Sequence, residues 1–221
     1  GAADSVVRSP RIQQILSRAA RGYPDKREEL DDYRLLVDFL VGMQDYDYVQ
    51  NARIYIRPEV LYSRENANIF HISQLAPASI LEGDRSVSVW TVGELPLDYY
   101  AEPARTLRLT RTIPDLGSPE PYLAVLQVDC RIQILEDALE GIDLATVAAV
   151  VVHDVERLVT ARAAGGPAPE PAIEALVSAG DRGTVRMIDG RQYLVVTAPL
   201  TSLPWRLSAL VSVATITASA R

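Results

Sequence analysis

Five residues carry most of the chemistry that this chain offers by type: Trp90, Tyr99, Tyr100, Arg111 and Asp129. Aromatic walls with one cation and one anion suit the capture of a small polar ligand, whose charged ends need partners and whose body needs a flat surface. They do not suit bond breaking. The two histidines, His71 and His153, fall in a loop-like segment and at a hairpin, and neither has a cysteine, a serine motif or a second histidine at ligand spacing. Both read as surface or structural groups. Cys130 is the one cysteine, which excludes an internal disulfide and gives no partner for a metal site. Gly165-Gly166 reads as a flexible turn rather than a phosphate loop, and the Asp31-Asp32 pair reads as solvated on an exposed helix face. No constellation for catalysis emerges, and nothing calls for a cofactor.

The elements that must position Arg111 and Asp129 are legible. Over 105–113 the alternation is that of a strand, with Leu107, Leu109, Arg111 and Ile113 on one face and Thr106, Arg108, Thr110 and Thr112 on the other. Arg111 therefore interrupts an apolar face. A guanidinium there needs a carboxylate or a ligand, because an unpaired buried charge costs on the order of several kcal/mol. Residues 122–128 are apolar on both faces except for Gln127, the pattern of a central strand covered on both sides. From Ile132 the period changes: Ile132, Leu135 and Leu139, with Ile134 and Ala138, make a helical stripe. Asp129 stands at the seam, where it reads either as the N-cap of that helix or as part of a pocket. Arg111 reads either as its ion-pair partner or as a ligand's cation. A turn at Asp115–Ser118 makes the two strands a hairpin in which Arg111 falls nearer residue 124 than residue 129, so the two side chains need not meet.

The composition is that of a folded chain: 221 residues, 48% apolar and 23% charged, enough for one large domain or two small ones. A net charge of -7 argues against a nucleic-acid partner, which needs a basic surface to neutralise phosphates. No apolar run reaches the roughly 18 residues that a membrane-spanning helix needs. Residues 207–220 lack charge but are short and rich in Ser and Thr, and read as a strand followed by a small-residue tail. Gly1-Ala2-Ala3 resembles a cloning remnant more than a signal peptide.

Ser9-Pro10 predicts a helix start, serine as N-cap and proline at the first helical position. Ile12, Ile15, Leu16, Ala19 and Ala20 follow as a stripe until Pro24. A second helix carries Leu30, Tyr33, Leu36, Val37, Leu40 and Val41, with acids crowding its first turns. Residues 52–57 read as a strand, Pro58-Glu59 as its turn and 60–63 as a return strand. The same strand-turn-strand shape recurs at 149–160, about a hundred residues on, as two lobes of one fold type would give. Residues 66–96, which hold Trp90, are the least regular. In the C-terminal part, 171–179 reads as a short helix, and Asp189-Gly190 as a hairpin turn joining 183–188 to 191–199. In the last strand Trp205, Leu207, Ala209, Val211 and Val213 are expected to form the buried face.

The strand ending at Asp129, the helix after it, the strands at 147–154 and 191–199, and Leu203-Pro204-Trp205 opening a last strand together resemble an extracytoplasmic double Cache (PAS-like) sensor domain. The version most similar is the sensor region of histidine kinases paired with AraC-type response regulators. The resemblance implies an α+β fold of two Cache lobes, each an antiparallel sheet with flanking helices, joined by a long N-terminal helical spine. It implies a spine over 1–48, a membrane-distal lobe over 49–130, an inter-lobe helix and membrane-proximal lobe over 131–215, and a tail toward a membrane helix over 216–221. The parent is then a bacterial membrane-bound histidine kinase, homodimeric at full length, sensing outside the cytoplasm. Candidate ligand-binding residues are Trp90, Tyr100, Arg111 and Asp129; Asp129 matches the aspartate that receives the amine in amino-acid-binding Cache sensors, while Trp90 and Arg111 match in type alone. The ligand is expected to be a sugar, an amino acid or a carboxylate. Two other readings stay open: the same module on a chemoreceptor or cyclase, and a module that docks a solute-binding protein without a pocket of its own.

Overall fold

The serine-proline start builds a helix as the sequence predicts. In the computed structural model, which describes residues 9–57, 68–75, 88–95, 104–115, 122–142, 147–154, 158–163, 170–177, 183–201 and 203–219, helix α1 spans Pro10–Arg21 with the Ser9 hydroxyl accepting from the Ile12 N–H. It buries Ile12, Ile15, Leu16 and Ala19; Ala20 is exposed. Helix α2 spans Lys26–Gln44 with Asp25 as its cap. Its inner row differs from the expected stripe. Asp32, Leu36, Leu40 and Met43 are buried, while Leu30 and Val41 are exposed. The row includes Asp32 because its carboxylate meets Arg18: Nε donates to Oδ2 at 2.9 Å and Nη2 to Oδ1 at 2.5 Å. Tyr23 adds its hydroxyl to Oδ2 at 3.0 Å. Asp32 is thus a buried tie between α1 and α2 and not a solvated surface acid; Asp31 beside it is exposed.

The chain divides into two compact units, Gly1–Arg131 and Ile132–Arg221. The first holds α1, α2 and a five-stranded sheet of β1 (Val49–Ile56), β2 (Ile69–His71), β3 (Ser88–Leu95), β4 (Ala104–Ile113) and β5 (Ala124–Arg131). Its strand order is β2-β1-β5-β4-β3, antiparallel except for the β1–β2 pair. β5 is the central strand and is buried from Ala124 to Cys130, as an apolar run on both faces requires. It runs on through Asp129 to Arg131, so the aspartate sits inside the strand and not at its end. β3 places Trp90 in a regular strand where the sequence looked irregular. The expected return strand at 60–63 lies outside the described residues.

The second unit holds α3 (Gln133–Glu140), β6 (Val147–His153), β7 (Leu158–Ala163), α4 (Glu170–Val177), β8 (Thr184–Ile188), β9 (Arg191–Pro199), β10 (Arg206–Ser212) and α5 (Val213–Ser219). Its sheet order, β7-β6-β10-β9-β8, repeats that of the first sheet strand for strand. Asp189 and Gly190, with φ of 50° and 74°, turn the β8–β9 hairpin at the expected place. Ala172 and Leu176 of α4 pack on Ala149, Val151, Val195 and Leu210. Trp205, the first residue of the expected face, is buried, but within β10 itself the buried residues are Ser208 and Leu210 rather than the alternate set. Leu210 belongs to the α4 cluster, and the Ser208 hydroxyl is bonded to His153 Nε2 and to Thr197 Oγ1, both at 2.8 Å. The small-residue segment after β10 forms the helix α5. Among the described residues no helix is long and apolar enough to cross a membrane.

Candidate functional site

Register on the first sheet decides which of the expected residues can act together. Asp129 on β5 stands opposite Asn51 on β1 and Arg108 on β4, and Arg108 stands opposite Thr91 on β3. Those four make one row across the sheet. The next row on the same face is Arg53, Gln127 and Thr110. Arg111 pairs instead with Leu126 and Ser88, and Trp90 with Leu109. Leu126 is three positions from Asp129, an odd offset, so Arg111 and Trp90 occupy the face opposite to that of Asp129. The expected grouping of Trp90, Arg111 and Asp129 is therefore not brought together. Tyr100, like Tyr99, lies outside the described residues.

Asp129 is fully buried and takes two cations that sequence reasoning passed over. Arg108 Nε donates to Oδ1 at 2.6 Å, and Arg53 Nη2 donates to Oδ2. Neither the ion pair with Arg111 nor the helix cap survives. α3 starts after Ile132 with no side-chain cap hydrogen bond. The two oxygens of the aspartate are engaged across the sheet instead. The arginines are only partly covered, their side chains 18% and 24% exposed against 0% for Asp129. They stand outward of a carboxylate that orients them. Charge-assisted bonds of this kind are the strong class, and guanidinium forks present further planar N–H edges beyond the pair.

The neighbours of this cluster are shaped for it. A Cβ placed on Gly93 would come 3.3 Å from Arg108 Cζ and 3.4 Å from its Nη1, so a glycine on β3 leaves the space in which the guanidinium lies. Gln127 is buried and donates from Nε2 to Thr110 Oγ1 at 3.3 Å. Asn51 Oδ1 accepts from Gln44 Nε2 at 3.2 Å. One row beyond Arg53 the face turns apolar: Tyr55 stacks on Phe70 at 5.3 Å between ring centres and packs with Val125, Ile72, Leu75 and Tyr122. The guanidinium of Arg57 lies over the Tyr122 ring at 5.3 Å. Cys130 follows Asp129 on the other face, and burial first, then the Asp129 charge, push its thiol up to about 11.

The two histidines hold structure. His71 Nδ1 is bonded to Ser73 Oγ at 2.7 Å and its Nε2 to the Arg57 carbonyl at 3.2 Å, closing a 3₁₀ turn. His153 is buried, with Nδ1 donating to the Asp154 carbonyl at 2.5 Å. Among the described residues no group of histidine, cysteine and acidic side chains is placed to hold a metal ion.

A signal for Arg108 was present in the alternation of β4, since it shares the threonine face with three small polar residues. Arg53 shares a face with Tyr55 in the same way. What joined them to Asp129 was register, which no local pattern states.

No family model and no curated protein matches the sequence. Solved structures do. The extracellular domain of rpHK1S-Z16, described as a histidine kinase, superposes with a TM-score of 0.54 at 10% identity, over 93% of this chain and 86% of that one. The sensory domain of the Campylobacter jejuni chemoreceptor Tlp3, solved with isoleucine bound, gives 0.54 at 12% identity over 93% and 84%. The ligand-binding domain of the Pseudomonas fluorescens chemoreceptor CtaA, in complex with L-isoleucine, gives 0.50 at 16% identity over 99% and 90%. The fold of this chain is accordingly that of the two-lobed, Cache-type sensory domains, α+β with a sheet in each lobe and helices at the N-terminus.

Proposed function

We propose that the chain is the ligand-sensing, extracytoplasmic part of a bacterial membrane receptor, with a histidine kinase as its parent. The small polar ligand is taken by the Asp129 face of the first sheet, in the membrane-distal lobe. The observation that carries this is the buried Asp129 holding Arg53 and Arg108 in fixed, partly open positions at the centre of that sheet. A binding site gains from charges oriented in advance, and both arginines keep part of their surface open beside the carboxylate that orients them. Relatives in fold that are solved with isoleucine bound support a small-molecule role for such a domain. Signalling then rests on a difference in the ligand's affinity for two states of the receptor, homodimeric at full length.

The test is thermal stability with sugars, amino acids and carboxylates, for the unaltered protein, Arg108→Gln and Asp129→Asn. A ligand present at a hundred times its Kd adds about 2.7 kcal/mol of stability. The variants are expected to lose that gain. Variants that melt earlier and still bind normally would return the cluster to a purely structural role. A panel that stabilises nothing, together with capture of a solute-binding protein, would favour the docking module.

A further inference from the structure

Resting on the reading that this face takes a ligand, we infer that the ligand is a small organic carboxylate with no ammonium group beside it. Three observations converge on the charge of the guest. Both oxygens of Asp129 are already engaged, Oδ1 by Arg108 and Oδ2 by Arg53. The ammonium end of an α-amino acid is best met by a carboxylate open to it. Here that group is covered by two guanidiniums, which repel a third cation.

Among the described residues this face of the sheet is cationic. Its described strands carry Arg53, Arg108 and the exposed Arg131 against the single acid Asp129. This excess stands within a chain whose net charge is -7, so it is a local feature and not a reflection of composition.

The third observation is a donor left over. Arg53 Nε is buried and has no hydrogen-bond partner among the described residues, while Nη2 of the same guanidinium is held by Asp129. A buried guanidinium N–H is rarely left unmet. The planar fork of an arginine is answered by a carboxylate in its plane. Gln127 and Thr110, in the row shared with Arg53, are neutral and add hydrogen bonding without changing the sign of the site. Asp129 on this account is a positioning residue for two arginines and not a receptor for an amine.

The experiment uses matched sets in which one hydrocarbon body carries, in turn, a carboxylate, a carboxamide, an α-amino acid group and an amine. The first set is 3-methylpentanoate, its amide, isoleucine and 2-methylbutylamine. Further sets have shorter, longer and aromatic bodies, with inorganic phosphate and sulfate beside them. Binding is read by calorimetry and thermal shift on the whole chain. In at least one set the carboxylate is expected to bind about tenfold or more tighter than the other three members. Arg108→Gln and Arg53→Gln should abolish that binding, and Arg108→Lys, which keeps the charge without the fork, should weaken it. Circular dichroism confirms that each variant is folded. An amino acid that binds tighter than its desamino carboxylate would overturn this inference and leave the ligand-binding face standing. So would tighter binding of phosphate or sulfate than of every carboxylate. Carboxylate binding that is unchanged in both glutamine variants would overturn the placement, and no binding by any compound would overturn the sensing face itself.

Discussion

Arg108 and Gly93 share one space on adjacent strands. The guanidinium carbon lies 3.3 Å from the point where a side chain on Gly93 would begin, across the β3–β4 pair. Gly93 thus sets where Arg108 lies, as Asp129 sets where its Nε points. A small side chain at residue 93 should therefore act on the site before it acts on the fold. Gly93→Ala is expected to change stability by no more than about 1 kcal/mol, since the neighbour is the far end of a flexible side chain and strand glycine itself is unfavourable. Gly93→Val should push Arg108 aside and lower the affinity for a bound carboxylate several-fold. Urea unfolding and calorimetry on the two variants separate the effects.

Asp129→Ala leaves Arg53 and Arg108 over a buried site with no counter-charge. Removing one partner of a buried ion pair costs about 3–5 kcal/mol, and the partial exposure of both arginines places the expected loss near about 3 kcal/mol. The midpoint of urea unfolding checks it. A loss under about 1 kcal/mol would mean that the arginines are solvated well enough to need no carboxylate.

Tyr23 links stability to alkaline pH. Burial first, and then Asp32, hold its phenol above the ordinary value. The folded pKa is raised, so the neutral phenol's contribution is complete below about pH 10 and is lost as pH rises toward the folded value. Tyr23→Phe should cost about 1 kcal/mol at pH 8 through the lost bond to Asp32. It should also flatten the fall in stability above pH 10. Unfolding curves at a series of pH values, compared between the two proteins, isolate Tyr23 from the other titrating groups.

Cys130 should be inert while the protein is folded. Its thiol is buried and pushed up to about 11, so almost no thiolate exists at pH 8 and reagents have no path to it. Alkylation at pH 8 is expected only after denaturation, as one equivalent per chain because the sequence has a single cysteine. Rapid alkylation of the native protein would show that β5 opens locally.

What was local could be read from the chain. Ser9-Pro10 starts α1 and Asp189-Gly190 turns β8 into β9, because caps and tight turns depend on residues within a few positions of each other. The apolar run of β5 announced a strand buried on both faces, and the β4 alternation separated Arg108 from Arg111 correctly.

The site was decided elsewhere. Arg111 is the cation that interrupts an apolar face, yet Asp129 pairs with Arg108 from the threonine face and with Arg53, 76 residues away in the chain. Asp129 looked like a helix cap because its strand appeared to stop there, but pairing with β1 and β4 carries β5 two residues further. Asp32 looked solvated because helical periodicity counts apolar side chains and cannot see a bidentate arginine on another helix. The sequence by itself determined the caps, the tight turns and the faces of β4 and β5, all of which follow from short-range sterics and periodicity. Only the tertiary structure decided which charges meet, because cross-strand register is set by the packing of whole strands, and a shift of one residue sends every side chain to the opposite face.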